Sequence, residues 1–276
     1  MEPSQAGDPP FRRDLYAGTA PDYEQHRLPY PAGLARELAR QAGTSGTGRL
    51  LDLACGTGQL TFALRPYVAE IWAVDQEPDM TAMVTRKAGL DGGIRVVTAA
   101  AEELAAPAGS FGLVTIGNAF QRLPREAVAS RVLRWLRPGG LLALVWGGSP
   151  DEPGPGGLTA WQQALVAVVS RWRADAGRGR LPDGWASARR NRPDSVILTG
   201  AGFAAGGRRE FAAIRQWTAD DLAGYQFSTS VLSRAALGGR AADLTADLRR
   251  ELQVRAGPGP YRQDLTFACD LFRRPG

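Results

Sequence analysis

The residues best placed to do chemistry lie in Leu50–Leu60, LLDLACGTGQL. An apolar run that breaks into Gly56-Thr57-Gly58 lets the main chain approach a ligand closely, because glycine has no Cβ to collide. Asp75 follows Gly56 by 19 residues, at the end of a second apolar run, EIWAV. In an open α/β sheet an acid at that place accepts hydrogen bonds from the two hydroxyls of an adenosine ribose. A dinucleotide fingerprint would need a third glycine where this chain has Thr61, which disfavours NAD and FAD. His26 is the only histidine, and so the only side chain whose unperturbed pKa lies near neutrality. One histidine with two cysteines, Cys55 and Cys269, makes neither a metal centre nor a disulfide framework, so none is expected.

The elements that must position these residues alternate between strand and helix. Gly33–Ala42 reads as a helix, with Leu34 and Leu38 on one face, and Gly43–Gly48 as a loop. Arg49–Ala54, Glu70–Val74, Ile94–Thr98, Leu113–Ile116 and Leu141–Trp146 read as strands. Gln59–Leu64, Asp79–Ala88 and Arg125–Leu136 read as the helices between them, the last stopped by Pro138-Gly139-Gly140. The strands are continuously apolar, as in a sheet covered on both faces. This predicts a doubly wound, mostly parallel α/β sheet.

After Trp146 the rhythm changes. Trp161, Leu165, Val168, Val169 and Trp172 make a helical stripe over Thr159–Ala176. Asp194–Thr199 and Arg208–Ile214 resume helix and strand, and Thr218 with Asp221 forms a capping box. Leu222–Leu252 looks helical with a break at Gly238-Gly239, and Leu265, Phe267, Cys269 and Leu271 alternate as a final strand over Asp264–Phe272. The expected organisation is a disordered tail over 1–10, a cofactor-binding α/β core over 11–146, and a region over 147–276 that roofs the carboxyl edge and completes the sheet.

The chain of 276 residues is 44% hydrophobic and 22% charged, the balance of an ordinary globular protein. No apolar run reaches the ~20 residues of a membrane-spanning helix, and Met1–Phe11 has no apolar core for a signal peptide. The expectation is a cytoplasmic protein without a membrane partner. The net charge of +5 is nearly all arginine, since Lys87 is the only lysine. The arginines fall in pairs along the whole chain rather than in one stripe, which argues against a nucleic-acid partner.

LLDLACGTG, AVD at Ala73–Asp75, AAEEL at Ala100–Leu104, SFGLVTIGNAF at Ser110–Phe120 and LRPGGLLALVW at Leu136–Trp146 closely resemble the successive motifs of class I S-adenosylmethionine-dependent methyltransferases. The upstream segment YAGTAPDYEQHRLPYP, Tyr16–Pro31, looks like that of a bacterial small-molecule group, the methyltransferase type 11-like proteins. The resemblance implies S-adenosyl-L-methionine as cofactor and S-adenosyl-L-homocysteine as product. It implies that the backbone of Ala54, Cys55, Gly56, Thr57 and Gly58 lines the methionine part, with Asp52 supporting the turn. Asp75 should hold the ribose, Gln76 and Met80 flank the adenine, and Ala101 and Glu102 bind its edge. Asn118 should lie near the amino-acid end through its carbonyl. Arg27, with Tyr23, is the candidate for pairing the cofactor carboxylate, a planar anion that suits a guanidinium.

This chain departs from the family's pattern at three places. Ala54 stands for the first glycine, Ala100 for an acid, and Gln121-Arg122 for the common pair of histidine and an aromatic. A neutral amine needs no base at the instant of attack, whereas a hydroxyl usually does. His26 and Gln121 are therefore the candidate catalytic residues, and an amine is slightly favoured over a hydroxyl. Tyr16, Trp146, Tyr225 and Ser228 are candidate liners of the acceptor pocket. The expected function is methyl transfer to a small molecule, a secondary metabolite such as an amino sugar or polyketide glycoside in antibiotic biosynthesis. A nucleic-acid methyltransferase and a non-catalytic S-adenosylmethionine-binding protein are the alternatives, and the oligomeric state is left open.

Overall fold

The computed structural model describes residues 14–154, 156–175 and 189–276. The expected tail over 1–10, and positions 177–188 of the arginine-rich stretch, lie outside the described residues. Strands β1 (Arg49–Leu53), β2 (Glu70–Asp75), β3 (Ile94–Thr98), β4 (Phe111–Gly117) and β5 (Leu136–Trp146) run parallel. β6 (Ala204–Trp217) and β7 (Tyr261–Arg273) complete a seven-stranded sheet of order β3-β2-β1-β4-β5-β7-β6, with β7 antiparallel to β5 and to β6. The order reverses between β1 and β4, so the crevice of this doubly wound sheet opens there.

The helices are α1 (Ala20–His26), α2 (Ala32–Ala42), α3 (Gln59–Leu64), α4 (Pro78–Ala88) and α5 (Arg125–Trp135). There follow α6 (Ala160–Asp175), α7 (Asp194–Gly200), α8 (Ala219–Phe227), α9 (Arg234–Leu237) and α10 (Ala241–Ala256). Alternate residues of the central strands feed two cores. Leu51, Leu53, Val114, Ile116, Leu142 and Leu144 meet Val128, Val132 and Trp135 of α5 on one face. Leu50, Ile71, Leu113 and Leu141 meet Leu34 and Leu38 of α2 and Leu60 and Leu64 of α3 on the other. Both faces are dry, which is why the strands read as unbroken apolar runs.

A third core belongs to the second half. β5 ends at Trp146, opposite Ala268, but β6 and β7 stay paired beyond it from Phe211↔Phe267 to Trp217↔Tyr261. This two-stranded arm projects roughly 20 Å past the carboxyl end of β5 at the usual rise per residue. Trp217 and Tyr261 at its tip pack with Trp161, Leu165, Val168 and Trp172 of α6, and with Leu244, Leu248 and Leu252 of α10. The helical module thus rides on the arm.

The capping box of α8 forms as expected: the Asp221 N–H donates to Thr218 Oγ1 at 3.0 Å, and the Thr218 N–H to Asp221 Oδ2 at 3.0 Å. The expected long helix over Leu222–Leu252 breaks earlier than at Gly238-Gly239. The Ser228 hydroxyl donates to the Tyr225 carbonyl at 2.6 Å and that of Thr229 to the Gln226 carbonyl at 2.7 Å, so side chains take bonds that would continue α8. β6 and β7 are longer than their sequence patterns, because each supplies the other's ladder along the arm. Among the described residues no helix is long and apolar enough to cross a membrane.

Leu144 is fully buried in the core under α5. Leu144→Ala is expected to cost about 2–5 kcal/mol of stability. Urea unfolding monitored by tryptophan fluorescence checks this; a loss below ~1 kcal/mol would contradict a tightly packed face.

Candidate functional site

β1 delivers the chain into the glycine turn at the crevice. Ala54, Gly56 and Gly58 all adopt positive φ, at 51°, 56° and 90°. A Cβ on Gly58 would stand 2.8 Å from the Phe62 ring, so no other residue fits without displacing it. Ala54, at the place of the family's first glycine, takes the left-handed conformation at a cost of ~1–2 kcal/mol. Asp52 anchors the turn from below. Its Oδ2 accepts from Thr61 Oγ1 at 2.6 Å and its Oδ1 from Thr115 Oγ1 at 2.8 Å, tying β1 to α3 and β4. Burial pushes the Asp52 carboxyl up to about 6, against the pull of those two hydroxyls.

Asp75 ends β2 beside this turn. Its Oδ2 accepts from the Gly56 N–H at 2.8 Å and its Oδ1 from the Glu77 N–H at 3.0 Å. Burial raises its pKa, and the backbone donors oppose the rise. A carboxylate has about four lone-pair sites, so each oxygen can still accept from a ligand. Asp75 lines one pocket together with Tyr16, Tyr23, Ala54, Gly56 and Gln76, and with the apolar Met80, Ala101 and Leu123. The upstream segment covers it. The Tyr16 N–H donates to Glu77 Oε1 at 3.2 Å and the Gly18 N–H to Asp79 Oδ2 at 2.9 Å. The rings of Tyr16 and Tyr23 meet edge to face at 6.4 Å. Glu77 is buried, which pushes it up to about 7.

Asn118 follows β4 with φ at 50°, and its amide brackets Gly147 after β5, donating through Nδ2 at 2.9 Å and accepting through Oδ1 at 3.2 Å. Asn118 lines the pocket. Its carbonyl, expected near the ligand, accepts from Gln121 Nε2 at 3.2 Å and Arg122 Nη1 at 3.1 Å.

The structure keeps several expected site residues out of this pocket's lining. Cys55, Thr57 and Gly58 shape the turn: Cys55 is buried against Val84, and the Thr57 carbonyl accepts from Lys87 Nζ at 3.0 Å. Glu102 stays in the turn after Ala101, and Gln121 is held on the Asn118 carbonyl. His26 is packed against α8, where a Cβ on Gly224 would meet its Nε2 at 2.2 Å, and burial lowers its pKa. Trp146 donates to Asp270 Oδ2 at 3.0 Å, beside the arm. Tyr225 and Ser228 serve Arg27 instead, accepting from its Nη1 and Nε at 2.9 Å each, and the Ser228 carbonyl accepts from Nη2 at 3.3 Å. The guanidinium carbon of Arg27 lies 4.7 Å from the centre of the Tyr23 ring and 4.4 Å from that of Tyr225. His26, Arg27, Tyr225 and Ser228, far apart in sequence, meet where α1 packs against α8, and of α1 only Tyr23 lines the pocket.

Residues 51–144 match the model of the methyltransferase domain family. An uncharacterized methyltransferase-like protein of Schizosaccharomyces pombe is 28% identical over 158 residues, 56% of this chain and 57% of that protein. An uncharacterized methyltransferase of Mycobacterium bovis is 29% identical over 185 residues, 65% of this chain and 70% of that one. The chain therefore matches little more than half the length of the fission-yeast relative. The likeness is to the methyltransferase domain and rests on residues 51–144, about a third of the chain. The phosphoethanolamine N-methyltransferase 2 of Haemonchus contortus superposes with a TM-score of 0.53 at 17% identity, covering 97% of this chain and 60% of that one, a likeness of fold.

The family's cofactor, S-adenosylmethionine, fits what the pocket offers. Asp75 presents a fixed acceptor, and the turn at Gly56 leaves no Cβ in the way; one there would stand 3.3 Å from Tyr23. Pattern reading missed Glu77 and assigned Arg122 no role, though both line the pocket. Glu77 carries no motif, and only the folding back of Tyr16 makes it a site residue.

Asp52 gives a pH test. Its folded value of about 6 lies above the 3.8 of an unfolded chain, so the native state keeps its proton where the unfolded ensemble loses it. Stability is full below pH ~4 and falls by about 2–3 kcal/mol as pH rises towards 6. Denaturant titrations from pH 4 to 7 should show this decline on top of that from Glu77 and Asp75, whose values are also raised, and Asp52→Asn should make it shallower; an equal slope in both proteins would contradict the assignment.

Proposed function

We propose that the chain transfers the methyl group of S-adenosylmethionine to an amine or hydroxyl of a small molecule. The observation that carries this reading is the Asp75 carboxylate, fixed by the Gly56 and Glu77 N–H groups in the pocket that the glycine turn also lines. Asp75 would accept from the ribose hydroxyls, while Gln76, Met80 and Ala101 flank the adenine. Arg27 would pair the cofactor carboxylate beside Tyr23. Three of its five N–H groups are used on Tyr225 and Ser228, which leaves two for an anion.

Bound S-adenosylmethionine supplies an electrophilic sulfonium methyl group. The protein's part is to align the acceptor and exclude water, which Tyr16 and Tyr23 do by covering the pocket. His26, at the end of α1, packs on Gly224 of α8, and Gln121 has no titratable group. An amine acceptor, which needs no base at attack, suits this set better than a hydroxyl. The resemblance of the motifs to a bacterial small-molecule group supports a secondary metabolite, such as an amino sugar or polyketide glycoside. Many arginines pair with nearby acids, as in Arg208–Asp270, Arg249–Asp220 and Arg262–Asp264, which weakens the case for nucleic acid. A binder without turnover is the second reading, since the family's histidine is absent.

Calorimetry should give micromolar affinity for S-adenosylmethionine and its demethylated product. Asp75→Ala should weaken it about 30–100-fold, the cost of leaving two buried hydroxyls unpaired. No affinity in the parent, or none lost in the variant, would reject the cofactor assignment.

His26→Asn separates the acceptor types. A loss of less than about tenfold in turnover is expected for an amine, against the ~10²–10⁴-fold of a missing general base. With an amine, the rate should also climb with pH until the acceptor's own pKa is passed.

A further inference from the structure

Arg122 stands in the pocket with no acid to meet it. Arg65 and Arg125, also partly or fully buried, have carboxylates, in Arg65–Asp91 at 2.6 Å and Arg125–Asp194 at 3.0 Å, and buried Arg27 has three of its N–H groups on Tyr225 and Ser228. Among the described residues, Arg122 has only the Asn118 carbonyl, at 3.1 Å from Nη1, and the Tyr16 ring, 5.4 Å from its guanidinium carbon. The acids of the pocket are engaged by the backbone: Asp75 by Gly56 and Glu77, Glu77 by Tyr16. Most of the guanidinium's five N–H groups are therefore left for a ligand, in a half-buried place where a charge is poorly served by water.

The side chain is also preorganised. The Asn118 carbonyl that holds it belongs to a residue in the left-handed conformation, whose own amide is fixed on Gly147. The same carbonyl holds Gln121, so Arg122 cannot swing away without losing its share of that network. It rises after β4, at the crevice between β1 and β4. Asp75, two strands away at the end of β2, marks the ribose side of the pocket, and Arg27 is drawn to α8 behind Tyr23.

Resting on the proposed methyl transfer, we infer that Arg122 anchors the acceptor, and that the acceptor carries a carboxylate besides its nucleophile. A planar guanidinium fork matches a carboxylate in two parallel hydrogen bonds, which fixes the direction from which the rest of the acceptor enters. The cation–π contact with the Tyr16 ring makes the covering segment part of the acceptor site. The residue is thus specificity-determining: it selects the acceptor by charge and orients its nucleophile.

The cofactor also has a carboxylate, so the test must separate the two. S-adenosylhomocysteine and 5′-methylthioadenosine, which lacks the amino-acid part, are titrated into the parent and Arg122→Gln; benzoate and its neutral isostere benzamide are then titrated into the S-adenosylhomocysteine-loaded proteins. Benzoate should bind the parent at least tenfold more tightly than benzamide, and that preference should vanish in Arg122→Gln and partly return in Arg122→Lys. Affinity for both nucleosides should change less than twofold, which also shows that the variants are folded. Equal binding of benzoate and benzamide, or a benzoate preference that survives in Arg122→Gln, would overturn the inference while leaving the methyltransferase reading intact. A loss of S-adenosylhomocysteine affinity without a loss for methylthioadenosine would give the guanidinium to the cofactor and overturn it too. No S-adenosylhomocysteine binding in the parent would sink both.

Discussion

One hydrogen bond sets the geometry of this pocket, from the Gly56 N–H to Asp75 Oδ2 at 2.8 Å. It joins the turn after β1 to the end of β2, and it forms only if the main chain at Gly56 takes a positive φ with no side chain in the way. Asp52 repeats the device one layer lower, with Thr61 and Thr115 on its two oxygens. Both carboxyl groups are buried and both have raised pKa values, so the site holds charge-bearing groups at a cost that the surrounding strands must offset. The central strands, dry on both faces, supply that rigidity.

The second constraint is the double role of α1. Tyr23 lines the pocket, whereas Asp22 accepts from Arg234 Nε at 3.0 Å, Arg27 reaches Tyr225 and Ser228, and His26 lies on Gly224. A short helix of seven residues would not hold itself in place. It is kept by the arm-borne helices on one side and by the glycine turn on the other. The module built on β6 and β7 is therefore physically coupled to the cofactor end of the molecule, although no strand of the first half touches its core.

Local chemistry made much of this legible. Glycine at positions that need a positive φ, an acid closing the next apolar run, and Pro-Gly breaks between periodic segments are properties of the chain itself. They announced the parallel sheet, its crevice, the turn and Asp75. The capping box at Thr218 was equally legible, because both of its bonds close within four residues.

What only the tertiary structure decided concerns side chains whose partners lie far along the chain. His26 was a candidate for catalysis and Tyr225 for lining the acceptor pocket, yet where α1 meets α8 His26 packs on Gly224 and Tyr225 accepts from Arg27. Glu77 and Arg122 carried no motif that spoke for a role, and became pocket residues because the segment at Tyr16 folds back over them. The arm beyond Trp146 was only partly legible: strands could be read over Arg208–Ile214 and Asp264–Phe272, but their pairing with each other past the end of β5, and their extension to Trp217 and Tyr261, depend on segments far apart in sequence. Turns and strand patterns depend on neighbours within a few residues, and so the sequence determined them by itself. Which face of a helix meets which partner depends on packing across the whole chain, and that was settled only in three dimensions.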